Sequence, residues 1–364
     1  MSLSKLPDEL LLMICEKLAK VRDLVAFSCC SKRLNLICRD VNYVNDVYHI
    51  DKNEQVEKAL SFNKNIKLKL DLSWGKKVSD FEILGKVYDL NLSYCDNVSN
   101  VSIFSNLHKL DLTWCRYVSD VSTLGDINTL ILRACKLITD VSNLGNVRTL
   151  NLSRCRELTD VSMLGNVHTL DLSICDSISD VSMLGNVHTL DLSYCDGVSD
   201  VSKLGNVHTL NLSSCRNVTD VSKLVNICNL DLSNCRNITD VSNLGNIHTL
   251  NLSVCMNITD VSKLGNVHNI NLSQCYNISD VSNLGNVHTL DLSRCRYLTD
   301  VSNLGNVYTL DLSWCKDVTD VSNLGNVHDL ILSFCDGITD VSNLGNVYNL
   351  DLSGCKYVNK TQLI

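Results

Sequence analysis

The sequence has no apolar run long enough to cross a membrane, and its first thirty residues are interrupted by charged side chains. Both features argue against a transmembrane helix and against a secretory signal peptide. We therefore expect a chain that resides in the cytoplasm or nucleus and has no membrane partner. Proline occurs once, at Pro7, where it suits the first turn of a helix.

The sequence also lacks an excess of basic residues. Its 32 lysines and arginines are outnumbered by 40 aspartates and glutamates, which gives a net charge of −8. Extended binding to nucleic acid is disfavoured, because such binding relies on basic residues that neutralise phosphates. The sequence contains no phosphate-binding loop and no nucleophile with a distinct base. We therefore expect no enzymatic activity and no cofactor.

One twenty-residue unit is repeated almost verbatim from about Asp71 onwards. The copy at 204–223 reads LGNVHTLNLSSCRNVTDVSK. Its Leu-x-Leu signature occurs fifteen times between Leu70 and Leu352, with isoleucine once in the first place. A unit this short cannot enclose a core alone, so it must stack on its neighbours as a solenoid.

The spacing within one copy predicts how that copy folds. Leu210 and Leu212 alternate as on a strand, so Thr209, Asn211 and Ser213 should face solvent. Seven positions are expected to be buried, namely Val201, Leu204, Val207, Leu210, Leu212, Cys215 and Val218.

The connection to the next strand is short. Asp220 is a good N-cap residue, and residues 221–224 are long enough for a single 3₁₀ turn. Gly205 is expected to end the equivalent turn with a positive φ.

Fourteen of the nineteen cysteines, from Cys95 to Cys355, lie twenty residues apart in one column of the repeat. Stacked repeats would place neighbouring cysteines about 5 Å apart with parallel side chains. Disulfides need converging Cβ vectors, and zinc needs ligands in a tetrahedron, so a straight column suits neither. We predict reduced thiols that act as small buried hydrophobic groups, and no metal site.

The pattern V-x-x-L-x-L-x-x-C resembles the leucine-rich repeat, and C-x-x-[V/I]-[T/S]-D resembles its cysteine-containing subclass. The resemblance covers about residues 66–358. It implies an α/β repeat solenoid, an arc with a parallel β-sheet of fifteen strands and a convex side of short 3₁₀ turns. The short unit is nearer in length to internalin-like repeats than to the longer cysteine-containing ones.

Residues 3–40 have no repeat, and their apolar residues have helical spacing. The motif L-P-x-E-L-L-x-x-I…L…D-L…C-S-K-R-L resembles an F-box, with a departure at Leu34, where many members have an aromatic residue. In that family the element docks on a Skp-type adaptor, which links it to a cullin ubiquitin ligase. The adaptor-binding residues implied by the resemblance are Leu6, Pro7, Glu9, Leu10, Ile14, Leu18 and Leu24. A helical cap for the solenoid is the alternative.

We therefore expect three parts in the chain. Residues 1–46 would form a small helical F-box-like domain, and residues 47–66 a connecting helix or N-terminal cap. Residues 67–364 would form a leucine-rich-repeat solenoid of about fifteen units.

Most outward-facing strand positions are uniform, but the position just before each repeat cysteine varies strongly and holds all three tryptophans. We call these residues the rim column, because the register places them at the C-terminal ends of the strands, on the concave rim. Tryptophan, tyrosine and arginine are typical anchors of protein interfaces. The candidate target-binding residues are Trp74, Tyr94, Trp114, Arg154, Tyr194, Arg294, Trp314 and Phe334. Because the aromatic residues cluster at both ends of the rim column, we predict that the target contacts the column near its ends rather than at its centre. Aromatic side chains that merely cover the rim are the alternative.

Three further columns of the repeat contain ionisable side chains. The histidines, such as His168, His188 and His208, favour a solvated ladder over a metal site, because adjacent rings run parallel. The aspartates from Asp120 to Asp340 favour turn caps over a cation site, because carboxylates about 5 Å apart repel one another. A third column is basic but interrupted by aspartates, and could contact an acidic partner locally.

Together these features predict a substrate-receptor subunit of a Skp–cullin–F-box ubiquitin ligase, whose repeats bind an unknown target protein. The main alternative is a non-catalytic scaffold or decoy that occupies the adaptor without delivering a target. A third possibility is a ligase enzyme, which in some bacterial leucine-rich-repeat proteins requires a separate catalytic domain.

Overall fold

The computed structural model describes residues 69–74, 82 and 84–358 in full, together with Leu11, Ile14 and the backbone of residues 43–45 and 67–68. Two compact units divide the chain, Met1–Leu158 and Thr159–Ile364. Within the described residues no helix is long and apolar enough to span a membrane.

Each unit contains a parallel sheet whose strands follow one another in sequence order. The strands of the first unit are β1 Tyr43–Asn45, β2 Lys67–Asp71, β3 Asp89–Asn91, β4 Lys109–Asp111, β5 Thr129–Ile131 and β6 Thr149–Asn151. Those of the second unit are β7 Thr169–Asp171, β8 Thr189–Asp191, β9 Thr209–Asn211, β10 Asn229–Asp231, β11 Thr249–Asn251, β12 Asn269–Asn271, β13 Thr289–Asp291, β14 Thr309–Asp311, β15 Asp329–Ile331 and β16 Asn349–Asp351.

Residues that lie opposite one another on neighbouring strands are one repeat apart in the sequence, as Leu190 and Leu210 are. The fifteen strands predicted from the Leu-x-Leu signature are β2 to β16, and the leucine-rich-repeat solenoid fold is confirmed. Strand β1 is an addition, in which Val44 pairs with Leu68. It falls inside the segment expected to form the helical N-terminal domain.

Short 3₁₀ turns alternate with the strands, as predicted. They are Leu84–Lys86, Ser102–Phe104, Ser142–Leu144, Ser162–Leu164, Ser182–Leu184, Ser242–Leu244, Ser282–Leu284, Ser302–Leu304, Ser322–Leu324 and Ser342–Leu344. Plain turns replace them at residues 121–124, 201–204, 221–224 and 261–264, so the 3₁₀ turn predicted for residues 221–224 is a plain turn instead.

The aspartate column caps these turns. The Asp240 carboxylate accepts a hydrogen bond from the Ser242 amide at 2.9 Å, although the N-cap position itself is Val241. Because the Ser242 amide and hydroxyl both stabilise the charged form, the pKa of Asp240 lies below its ordinary value. The prediction of turn caps is confirmed, with each aspartate one residue earlier than a standard N-cap.

The glycine after each turn does not have the expected backbone. The prediction of a positive φ at Gly205 is wrong, since among the described glycines only Gly354 lies in that region. A Cβ atom at Gly205 would instead overlap the carbonyl oxygen of Lys223 in the next repeat. Glycine is favoured at this position because two backbones approach closely, rather than because of its angles.

The core consists of the apolar positions predicted from one repeat. Val201, Leu204, Val207, Leu210, Leu212, Cys215 and Val218 are at most 1% exposed. Thr209, Asn211 and Ser213 lie on the other face of the sheet and are half-buried by neighbouring repeats. The Asn211 side-chain amide, for example, donates to the Asp191 carboxylate at 3.1 Å.

The cysteine column forms a ladder of free thiols, which are buried except for the half-buried Cys355. Most of these thiols donate to the carbonyl oxygen of a leucine in the preceding repeat, as Cys215 does to Leu192 at 3.0 Å. Burial raises the pKa of Cys195 and of Cys315 to about 12. These thiols are therefore protonated core groups that also satisfy a backbone carbonyl.

Candidate functional site

The rim column has a left-handed backbone. Its fourteen non-glycine residues, from Trp74 to Phe334, have φ values of 58° to 64°, and Gly354 has φ 74°. Tyr194 illustrates why. It is third in a four-residue turn that is closed by a hydrogen bond from the Cys195 amide to the Leu192 carbonyl at 3.1 Å, and a positive φ at the third residue is typical of a type II turn.

Neighbouring groups hold this turn in place. The Asp191 carboxylate accepts from the Ser193 amide at 2.8 Å, and the Tyr194 amide donates to the Ser213 carbonyl of the next repeat at 2.9 Å. The left-handed turn therefore continues the ladder of backbone hydrogen bonds beyond the end of the strand.

Glycine or asparagine would fill such a position at the lowest cost, because other residues lose roughly 1–2 kcal/mol in this conformation. Only Asn234 and Gly354 follow that rule. Ile174 and Val254 are β-branched, which makes them outliers with φ 61° and 64°. The repeats thus vary most at the position where a side chain is most costly.

In the first unit the rim column carries an aromatic cluster. The rings of Trp74 and Tyr94 are stacked with centroids 4.0 Å apart, and Tyr94 and Trp114 follow at 6.3 Å. Trp74 remains 69% exposed despite this stacking. The Lys136 ammonium lies 5.8 Å from the Trp114 ring centroid.

The second unit has an equivalent cluster near its last strands. Trp314 and Phe334 are stacked at 4.4 Å, yet they are 38% and 42% exposed. Arg294 and Lys316 lie over the Trp314 ring, at 5.2 and 5.6 Å from its centroid.

Other rim residues are smaller or less exposed. Arg154 is half-buried, whereas Tyr194 is 55% exposed. Ser214 is only 4% exposed and accepts a hydrogen bond from the Asn234 amide at 3.0 Å. Apart from Tyr194, the large exposed aromatic residues of the rim column therefore lie near both ends of the repeat region. Their stacking orders the rings while leaving surface available to a partner.

The histidine column is a stacked ladder. Centroids of His168, His188 and His208 are 4.7 and 4.6 Å apart, and all three rings are exposed. Desolvation within the stack, followed by the neighbouring histidine charges, lowers the pKa of His188. Parallel rings cannot converge on one ion, and among the described residues no group of three side chains is placed to hold a metal.

A second run of the ladder extends further than the sequence predicted. It contains His248, His268, His288, Tyr308, His328 and Tyr348, with neighbouring centroids 4.4 to 4.9 Å apart. The two tyrosines occupy the histidine position of their repeats. This shared position is the sequence signal from which their place in the stack could have been predicted.

Of the residues predicted to bind the adaptor, only Ile14 is described. It is helical and half-buried, one turn from the fully buried Leu11. The other six, Leu6, Pro7, Glu9, Leu10, Leu18 and Leu24, lie outside the described residues.

The described residues have the fold of leucine-rich-repeat proteins. Within the same chain, residues 3–44 match the family model described as F-box-like. No curated protein sequence matches the chain significantly.

Solved structures share the fold of the repeats. An internalin (InlF) from Listeria monocytogenes is 22% identical with a TM-score of 0.57, over 76% of this chain and 89% of that one. The functional domain of InlJ from the same organism, which includes a cysteine ladder, is 23% identical with a TM-score of 0.55, over 76% of this chain and 65% of that one. A leucine-rich-repeat protein from Leptospira interrogans is 15% identical with a TM-score of 0.54, over 86% of this chain and 95% of that one.

Proposed function

We propose that this chain is the substrate receptor of a Skp–cullin–F-box ubiquitin ligase. The observation that carries the proposal is the presence, in one chain, of an F-box-like segment at residues 3–44 and a leucine-rich-repeat fold. The first would bind a Skp-type adaptor and, through it, a cullin. The second would bind a target protein. The role is one of binding in the cytoplasm or nucleus, without a cofactor.

The parts of the chain divide this work. Residues 1–46 hold the adaptor through Leu6, Pro7, Glu9, Leu10, Ile14, Leu18 and Leu24. Residues 47–66 connect this domain to the repeats. Residues 67–364 present the rim column, whose exposed aromatic side chains are of the type that dominates binding energy in protein interfaces.

Three features support target binding by the rim column. It is the most variable column of otherwise uniform repeats, and its aromatic side chains remain exposed, apart from the half-buried Trp114. It also keeps costly side chains on a left-handed backbone, where glycine would be less strained. A column that served only to cover the turn would not need this variety.

The adaptor half of the proposal is tested with the full chain and a purified Skp-type adaptor. We expect a stable complex that also recruits a cullin, and loss of that complex in Leu6→Ala/Pro7→Ala. The matched control is Trp74→Ala/Trp114→Ala, which removes larger apolar groups from the rim and should leave adaptor binding unchanged. Failure of the unmodified chain to bind the adaptor would overturn the assignment, as would equal binding by the Leu6→Ala/Pro7→Ala variant.

A further inference from the structure

A basic and aromatic groove lies at the rim of the second unit. It has a volume of about 550 Å³ and is lined by Tyr276, Arg294, Arg296, Tyr297, Trp314, Lys316 and Asp317. These residues come from three consecutive repeats, at and just beyond the rim column. Three basic residues against one acidic residue give the lining a net charge of +2, in a chain whose net charge is −8.

Aromatic rings hold the two arginines in the groove. The Arg296 guanidinium lies 4.5 Å from the Tyr276 ring centroid, and that of Arg294 lies 5.2 Å from the Trp314 centroid. A guanidinium that stacks on a ring keeps its N–H donors at the edge, where they can bind an anion. Neither arginine has a carboxylate partner within the described residues.

The third basic residue is partly neutralised. The Lys316 ammonium lies 4.0 Å from the Asp336 carboxylate, which also pairs with Lys356 at 3.2 Å. Asp317 adds a further negative charge at the border of the groove. The two arginines therefore provide most of the attraction for an anionic ligand.

We propose that this groove binds an extended peptide segment of the target whose aspartate or glutamate side chains pair with Arg294 and Arg296. The proposal deepens target binding by the rim column and rests on that function. Three repeats span two strand spacings, about 10 Å, which an extended peptide covers with about three residues. Such a segment can place acidic groups on the arginines and an apolar group against Trp314. Long polyanions are disfavoured, because the chain is acidic and its aspartate column is exposed.

The test uses the full chain and a fluorescein-labelled peptide with two glutamates on each side of a tyrosine. We expect saturable binding by fluorescence anisotropy that weakens with added salt, and little binding of the peptide with glutamine in place of glutamate. Absence of binding, or equal binding of both peptides, would overturn the proposal. Tighter binding of a single-stranded RNA would also overturn it, as would binding confined to a phosphoserine version of the glutamine peptide.

Matched variants locate the site. Arg294→Gln/Arg296→Gln should weaken binding about tenfold or more, since two charge-assisted hydrogen-bond partners are lost. Gln274 has φ 60° at the equivalent rim position, so glutamine is tolerated there. The control Arg216→Gln/Arg236→Gln removes the same charge from exposed positions of the same unit and should change affinity less than about twofold. Equal weakening by both pairs would show unspecific attraction and contradict the proposal.

Adaptor capture by the same variants separates the two claims. Adaptor binding without peptide binding would reject the groove and leave the receptor assignment intact. Peptide binding at Arg294 and Arg296 without adaptor binding would reject the receptor assignment and support the groove.

Discussion

The amide nitrogen of Val254 donates to the carbonyl oxygen of Ser273 at 2.9 Å while Val254 holds φ at 64°. The equivalent position one repeat earlier is Asn234, with φ 58°. Two neighbouring repeats therefore impose the same left-handed turn on a β-branched residue and on one of the few residues that tolerate it well.

This difference predicts opposite effects of exchanging the two residues. Val254→Asn should stabilise the protein by about 0.5–1 kcal/mol, because asparagine relieves the strain. Asn234→Val should destabilise it by about 1–2 kcal/mol, because it adds strain and removes the bond to Ser214. Urea unfolding of both variants measures these changes. Destabilisation by Val254→Asn would contradict the account of strain.

The turn glycines give a second prediction, with a control in the next repeat. A Cβ atom at Gly325 would overlap the carbonyl oxygen of Asn343, whereas nothing lies within 4 Å of a Cβ at Gly345. Gly325→Ala should therefore cost about 1–3 kcal/mol. Gly345→Ala should be neutral or slightly stabilising, because alanine restricts the unfolded chain. Equal unfolding midpoints for the two variants would mean that the repeats do not approach as closely as described.

The thiol ladder predicts a loss of stability in alkali. Burial raises the pKa of Cys195 and Cys275 from an ordinary value of 9.0 to about 12. The unfolded chain loses these protons first, so stability is complete below pH 9 and falls as pH rises from there towards 12. Each such thiol contributes about 1.4 kcal/mol per pH unit to the slope within that window.

Two variants isolate this contribution. Urea unfolding under reducing conditions should show a shallower pH slope for Cys195→Ala/Cys275→Ala than for the unmodified protein. The control is Val198→Ala/Val218→Ala. These valines are also fully buried, and their loss should lower stability without changing the slope. Identical slopes for the cysteine variant and the unmodified protein would refute the prediction.

The rim column predicts where target affinity resides. Trp114→Ala and Trp314→Ala should each weaken target binding by about 2 kcal/mol or more, as is typical when an aromatic anchor is truncated. Alanine is tolerated in this backbone, since Ala134 has φ 58°. Asn234→Ala is the control and should leave affinity unchanged. Thermal midpoints are measured alongside, because lower stability with unchanged affinity for both tryptophan variants would favour packing over binding.

The repeat made most of the fold predictable. Fifteen strands, the buried positions and the thiol ladder follow from a twenty-residue period with one apolar pattern. The positive φ angles of the rim column could not be predicted from the repeat, because sequence signals for positive φ rely on glycine and asparagine. Gly205 therefore attracted the prediction, whereas only one of the fourteen non-glycine residues with a left-handed backbone, Asn234, carries such a signal. The stacking of Arg296 on Tyr276 could not be predicted either. It depends on the directions of side chains in neighbouring repeats, which the sequence pattern does not specify.

The central claim is that one chain binds an adaptor through residues 1–46 and a target through the rim column. Its most direct test is affinity capture of the full chain from cells, quantified by mass spectrometry, beside Leu6→Ala/Pro7→Ala and Trp114→Ala/Trp314→Ala. The account predicts that the first variant loses adaptor and cullin but retains the target, and that the second loses the target but retains adaptor and cullin. Capture of adaptor and cullin with no protein that depends on the rim tryptophans would contradict it and indicate a decoy.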